Sequence, residues 1–415
     1  LEKQNSWYRW IVFVATLFTY FVIVTQRTAP GLITEELMSD FKITASTIGI
    51  LTSIQFMAYA CLQIPVGILS DRFGPNFFLI IGTLVNGMGT FLYSVAPNEA
   101  ILLMARLLVG FGDATIWVNV ILILSQWFRM REFVGLMGVA GMSGSFGFLV
   151  ATVPFSKWID AVGWREPFFV MGILLCLNAL LLYVVLVKAP RRWVQEKPSV
   201  QPEVQREKTF PMLRRIFSAR QAWAAFFCHF ALMGTNIGFI GSFAVAFGMN
   251  IYEMSRSEAS LLVMIGLFGA LIGAPLTSWI SNYVNSIKKP YVVVHLIVFL
   301  SWSAFLIYQG NPPFYLLILL FFLIGYGNGA STLTFGVVRK SFHVKEVGVV
   351  SGFANTGGFI SAILLPSMFG YVLDHFPNQT GYHYGFIIPT VFALLGVIGG
   401  LMIIEERQEQ RQVVS

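Results

Sequence analysis

The sequence predicts an all-α membrane protein with twelve transmembrane helices in two six-helix pseudo-repeats. Of its 415 residues 56% are hydrophobic and 11% charged, whereas soluble domains carry roughly 25% charged residues. The apolar residues gather in stretches long enough to cross a bilayer, which takes about 20 residues each. Matching features also recur between the two halves of the chain, about 214 residues apart. The net charge of +7 does not point to nucleic acid, because the basic residues sit in short breaks between the apolar stretches.

The first set of apolar segments runs over 8–38, 44–70, 76–96, 99–127, 132–158 and 166–188. The second covers 220–250, 257–283, 290–309, 313–338, 347–373 and 384–404. Residues 1–188 are therefore expected to form an N-terminal six-helix bundle and residues 220–415 a C-terminal one. The polar, Pro-interrupted stretch 189–219 between them reads as a solvated linker. Lys3 and Arg9 precede an apolar run without a small-residue cleavage site, so the first segment reads as an uncleaved helix. Of the 27 Lys and Arg, 21 fall on the linker's side of the membrane and four on the other. That asymmetry places both termini in the cytoplasm, in a bacterial inner membrane. Cys61, Cys176 and Cys228 are far apart inside apolar segments, which gives neither a disulfide framework nor a metal spacing.

The repeat is specific in its order. Gly110-Phe111-Gly112-Asp113 answers to Gly325-Tyr326-Gly327-Asn328. Phe128, Arg131 and Glu132 answer to Phe342, Lys345 and Glu346, and Gly163-Trp164-Arg165 to Gly381-Tyr382-His383. Two like-oriented halves in one membrane imply alternating access, with a site near the midplane.

The break between the second and third segments reads Gly67-Ile68-Leu69-Ser70-Asp71-Arg72-Phe73-Gly74-Pro75. It resembles the signature loop of the major facilitator superfamily, Gly-x-Leu-x-Asp-Arg-x-Gly. Pro75 and Asn76 stand where that family usually has basic residues. Arg106 with Gly110, the series Gly138, Gly141, Gly144 and Gly147, and Gly163-Trp164-Arg165 extend the resemblance over essentially the whole chain. The resemblance implies a gating role for Gly67, Asp71, Arg72 and Gly74, with Asp71 docking at the start of the eleventh helix. An anion is favoured at a helix N-terminus on physical grounds alone. The corresponding break of the second half, Ser281-Asn282-Tyr283, lacks both charges.

Ionisable residues inside a membrane each cost about 2.5 to 3.5 kcal/mol on insertion scales and are candidates for function by default. Three lie near mid-span: Arg27, Arg106 and Asp113. At 1.5 Å per residue, Asp113 falls near the midplane and Arg106 about 10 Å further out, two turns away on the same helical face. Two guanidinium groups near a shared cavity offer bidentate clamps for a carboxylate or phosphate, and a carboxyl in low dielectric can accept a proton. The alternative is structural: Arg106 and Asp113 neutralise each other, and Arg27 pairs with Glu35 or Glu36.

This trio resembles the anion:cation symporters of that superfamily, which carry an Arg in the first helix and Arg-x6-acid in the fourth. The resemblance implies substrate binding by Arg27 and Arg106 and proton coupling by Asp113. Gln26 stands where sugar-acid members have an acid, which leaves the coupling ion and stoichiometry open. Tyr20, Gln26, Asn236, Asn328 and Asn355 are further candidates for substrate contact, Asn328 being the repeat counterpart of Asp113. His229 reads as a solvated or packing histidine.

The function expected is secondary active transport of a small organic anion, a carboxylate or sugar acid, coupled to protons and carried out by a monomer in the lipid bilayer. The competing readings are a major facilitator exporter or exchanger of another solute class (amphipathic drug, lipid or organic phosphate) and, remotely, a non-transporting receptor. No nucleophile constellation, cofactor motif, metal cluster or nucleic-acid surface is present in the sequence, so the chain is not expected to be an enzyme.

Overall fold

The computed structural model describes residues 2–43, 45–190, 209–376 and 378–405. Most of the expected linker, residues 191–208, lies outside them, and its final stretch, Thr209–Ser218, is helical. Twelve main helices follow one another: α1 (Tyr8–Thr28), α2 (Ala45–Phe73), α3 (Pro75–Ser94), α4 (Glu99–Trp127), α5 (Met130–Val150), α6 (Arg165–Tyr183), α7 (Arg220–His229), α8 (Arg256–Tyr283), α9 (Lys288–Ile307), α10 (Phe314–Ala330), α11 (Val347–His375) and α12 (Ile387–Met402). Among the described residues, eleven helical segments have the length and apolarity to cross a membrane. The 29-residue α2 takes the place of the remaining expected span.

Several spans are interrupted where the backbone loses a donor or changes pitch. α1 ends earlier than its apolar run, because Ala29–Leu32 turns into a 3-10 segment around Pro30 and the chain resumes as Thr34–Phe41. Proline has no N–H to continue the ladder. α5 likewise breaks ahead of Pro154 and resumes as Val153–Val162. α7 passes into two π-helical turns, Phe230–Gly234 and Asn236–Ile240, before Ala244–Tyr252. α10 resumes as Leu333–Ser341.

Polar caps mark helix ends. Asn98 accepts from the Ile101 amide at the start of α4, and Ser255 with Glu258 forms a reciprocal capping box at the start of α8. Such caps satisfy amides that lack a helical partner.

The chain divides into two compact units, Leu1–Arg206 with Phe342–Thr356, and Glu207–Ser341 with Gly357–Ser415. α11 thus gives its first turns to the first unit and the rest to the second. In the first unit α4 is the most enclosed helix, packed against α2 and α3. In the second, α8 and α10 meet along a seam of small residues. A Cβ on Gly325 would collide with the Gly266 carbonyl, one on Gly329 with that of Ala270, and one on Gly273 with that of Tyr326. Large apolar side chains are exposed in each unit, Leu180 in the first and Leu300 and Ile307 in the second among them, as helices solvated by lipid tails require.

Candidate functional site

The packing of α1, α2 and α3 around α4 brings three side chains onto one carboxylate. Asp113 of α4 is fully buried. Its Oδ2 accepts from Arg27 Nε of α1 at 3.0 Å and from Gln55 Nε2 of α2 at 2.7 Å. Its Oδ1 accepts from Asn86 Nδ2 of α3 at 2.6 Å. Close approach of the helices makes this possible: Gly112, next to Asp113, lies on the backbone of Gly82 and Asn86, where a Cβ would be 2.6 Å from the Gly82 carbonyl oxygen. The ion pair is charge-assisted and shielded from water, conditions under which hydrogen bonds are strong.

Arg27 keeps part of its fork free. Its Nη2 is buried without a hydrogen-bond partner, and its Cζ sits 5.0 Å from the centre of the Tyr59 ring, a cation–π distance. The structural alternative read from the sequence therefore fails in its pairing, because Asp113 pairs with Arg27. Arg106 takes a separate course. It is buried, lies with Cζ 5.6 Å from the centre of the Tyr93 ring, and leaves Nη1 without a partner. It makes no ion pair among the described residues, so the seven-residue spacing aligns the two Cβ atoms on α4 while the side chains follow different neighbours.

The other candidates distribute themselves over both units. Tyr20 is half-buried and its ring rests 4.7 Å from that of Trp117. Gly144 of α5 abuts Tyr20, and Gly147 passes close to Phe21 and Val24, so the glycine series packs α5 on α1. Gln26 is buried with its Oε1 unpartnered. Asn355 of α11 donates to Gln63 Oε1 at 2.7 Å and to the Tyr59 hydroxyl at 3.2 Å. Gln63 in turn donates to the Ala114 carbonyl beside Asp113. A polar relay thus runs through the first unit from α4 by way of α1 and α2 to α11. In the second unit, Asn236 is buried in a π-helical turn and Asn328 is half-buried on α10. His229 packs edge-on against Phe335.

Sequence reasoning missed Gln55, Tyr59, Gln63 and Asn86. A signal existed for three of them: spaced by four, Gln55, Tyr59 and Gln63 form one polar stripe along an otherwise apolar helix.

The loop residues occupy a second polar centre. Asp71 accepts from the Gly348 amide at 2.9 Å and the Val349 amide at 2.8 Å, at the N-terminus of α11. Gly67 makes the approach possible, since a Cβ there would stand 2.5 Å from the Gly348 carbonyl. Gly74 turns the chain at φ 91°, a conformation glycine adopts without strain. Arg72 is exposed beside it. The second unit has its own arrangement: Glu405, after α12, accepts from the Ser286 hydroxyl and the Ile287 and Lys288 amides that start α9. Lys340 Nζ stands 3.3 Å from the same carboxylate.

Comparison with known proteins agrees with this architecture. A probable sulfoacetate transporter of Cupriavidus necator, SauU, is 23% identical over 97% of this chain and 95% of its own length. A probable L-galactonate transporter of Escherichia coli is 22% identical over 90% and 86%. A probable hexose phosphate transport protein of Chlamydia trachomatis is 21% identical over 96% and 91%. Among solved structures, FucP in the outward conformation superposes with a TM-score of 0.78 at 15% identity, covering 96% of this chain and 100% of FucP. The family model of the Major Facilitator Superfamily matches residues 13–302 and 236–414. With the fold and the family model in agreement over nearly the whole length, this multi-pass membrane protein belongs to the Major Facilitator Superfamily and is a secondary transporter, not an enzyme.

Proposed function

We propose that the protein moves a small organic anion of the sugar-acid or short carboxylate class across a bacterial cell membrane, coupled to protons, by alternating access. The observation that carries this reading is the buried Arg27–Asp113 pair, with Nη2 of Arg27 and Nη1 of Arg106 still unpartnered. An anionic substrate competes with Asp113 for Arg27. Drawn to the substrate, the guanidinium leaves Asp113 without its counter-ion, and the coupling proton takes that place. Substrate and proton are thereby loaded together, and release of one restores the pair. Arg106 supplies the second cationic contact, and Tyr20 and Gln26 line the same unit's site. Asn355 holds Tyr59 against Arg27. Relatives named for sulfoacetate, L-galactonate and hexose phosphate support an anion as the cargo.

Asp71 acts as a latch on α11, and both termini face the cytoplasm, as the Lys/Arg asymmetry predicts. The protein works as a monomer. The test is a thermal-shift screen of purified protein against sulfoacetate, L-galactonate and a hexose phosphate, since a selective ligand stabilises by mass action. The stabilising anion is then offered to proteoliposomes under a pH gradient. Accumulation driven by the gradient is expected. Stabilisation by amphipathic cations and by none of the anions would instead support an exporter.

A further inference from the structure

The second unit carries a membrane-facing groove outside the polar centres. It runs between α8 and α9, is floored by α10, and encloses about 440 Å³. Ile280 of α8, Val284 just after it, and Val293 and Ile297 of α9 form its walls, Phe322, Leu323 and Tyr326 of α10 lie along its floor, and Lys289 stands at the start of α9. The lining is almost wholly apolar; the Thr277 hydroxyl, which could break that character, is occupied by Tyr326 at 2.8 Å. Val284 and Val293 are exposed, 42% and 53%, so the groove opens toward lipid.

From Lys289 to Ile297 it follows α9 for about 12 Å, most of the roughly 15 Å depth of one leaflet's hydrocarbon. Its mouth lies at the membrane boundary. Trp279 and Tyr283, both strongly exposed, stack 5.6 Å apart on the last turns of α8, the kind of aromatic pair that settles at headgroup level.

The charges at that boundary are unequal in their commitments. Glu405 is occupied by Ser286, the Ile287 and Lys288 amides, and Lys340. Lys288 Nζ donates to the Leu401 carbonyl. Lys289 is exposed, and its ammonium has no acidic partner among the described residues. The matching place in the first half, Gly74-Pro75-Asn76, has no cation. We propose that this groove is a binding site for an anionic glycerophospholipid, with an acyl chain between α8 and α9 against the α10 floor and the headgroup phosphate on Lys289.

Native mass spectrometry of the detergent-purified protein tests this, with phosphatidylglycerol and phosphatidylcholine of identical acyl chains added at equal concentration. A single basic residue at a headgroup should favour the anionic lipid about fivefold. Lys289→Ala should bring the two lipids level, Lys289→Arg should keep the preference, and Val293→Trp, which fills the groove from an exposed position, should lower retention of both. Inorganic phosphate should neither displace the lipid nor raise the melting temperature. Parent-like preference in Lys289→Ala, parent-like retention in Val293→Trp, or equal stabilisation by phosphate alone would each overturn the site.

Discussion

Arg27 grips Asp113 through Nε, at 3.0 Å, and not through its terminal fork. The geometry leaves Nη2 buried and unpartnered, so the cation that neutralises the carboxylate still has a donor to offer an arriving anion. Lysine in that position has one ammonium to divide between the two. Arg27→Lys should therefore weaken binding of the anion by about 10- to 100-fold, the equivalent of one charge-assisted hydrogen bond. Titration of purified protein with the stabilising anion measures this, and parent-like affinity would remove Arg27 from the binding site.

Asp113→Asn separates coupling from binding. The amide retains an oxygen for Arg27 and Gln55 and mimics the protonated acid. Exchange of anion between the two sides of a proteoliposome should persist while accumulation driven by a pH gradient disappears. Gradient-driven accumulation equal to the parent would show that the coupling proton travels elsewhere.

The Asp71 contact should be visible at single amides. With Asp71→Asn, one of the two amides at Gly348 and Val349 faces a donor in place of an acceptor, a loss of roughly 1 to 3 kcal/mol. Hydrogen exchange in the peptide that begins α11 should quicken, while the exchange of α3 and α6 stays as in the parent. Unaltered protection there would reduce Asp71 to an ordinary surface charge.

Glu405 gives a pH test outside the spans. Burial would raise its carboxyl, but the Ser286 hydroxyl and the Ile287 and Lys288 amides outweigh that and hold it below the usual glutamate range. A carboxyl depressed in the folded state stabilises fully above its unfolded pKa, roughly 4.3, and that contribution is lost as pH falls through the folded value. Glu405→Gln should thus lower stability by about 1 kcal/mol near neutral pH. The gap to the parent should close in melts below about pH 4. A gap that persists undiminished in acid would mean the contribution is packing and not charge.

Much of this molecule is legible in its sequence because a bilayer leaves few options. Apolar runs must become helices, and scarce charges such as Arg27, Arg106 and Asp113 stand out against them. The pairing among those charges is another matter. Spacing on α4 aligns Arg106 with Asp113, yet the partner of Asp113 is set by how α1, α2 and α3 pack around it, and that packing depends on contacts such as Gly112 on Gly82. Gln55 and Asn86 escape notice because an amide in an apolar helix costs less than a charge and so reads as incidental. The end of α1 at Ala29-Pro30-Gly31 is written in the chain, whereas the π-helical turns of α7 carry no comparable mark.

The glycine seam between α8 and α10 has a practical bearing on how motion in this protein is measured. Helices whose backbones touch at Gly266 and Gly325, and again at Ala270 and Gly329, have no side-chain layer on which to slide, and they form a two-ply strut. Spin labels placed one on the exposed flank of each helix, for example at Leu276 and Leu319, should report a constant separation with and without ligand. That pair then serves as an internal ruler, against which a changing distance from α7 or from Leu333–Ser341 can be assigned to bending within the second unit.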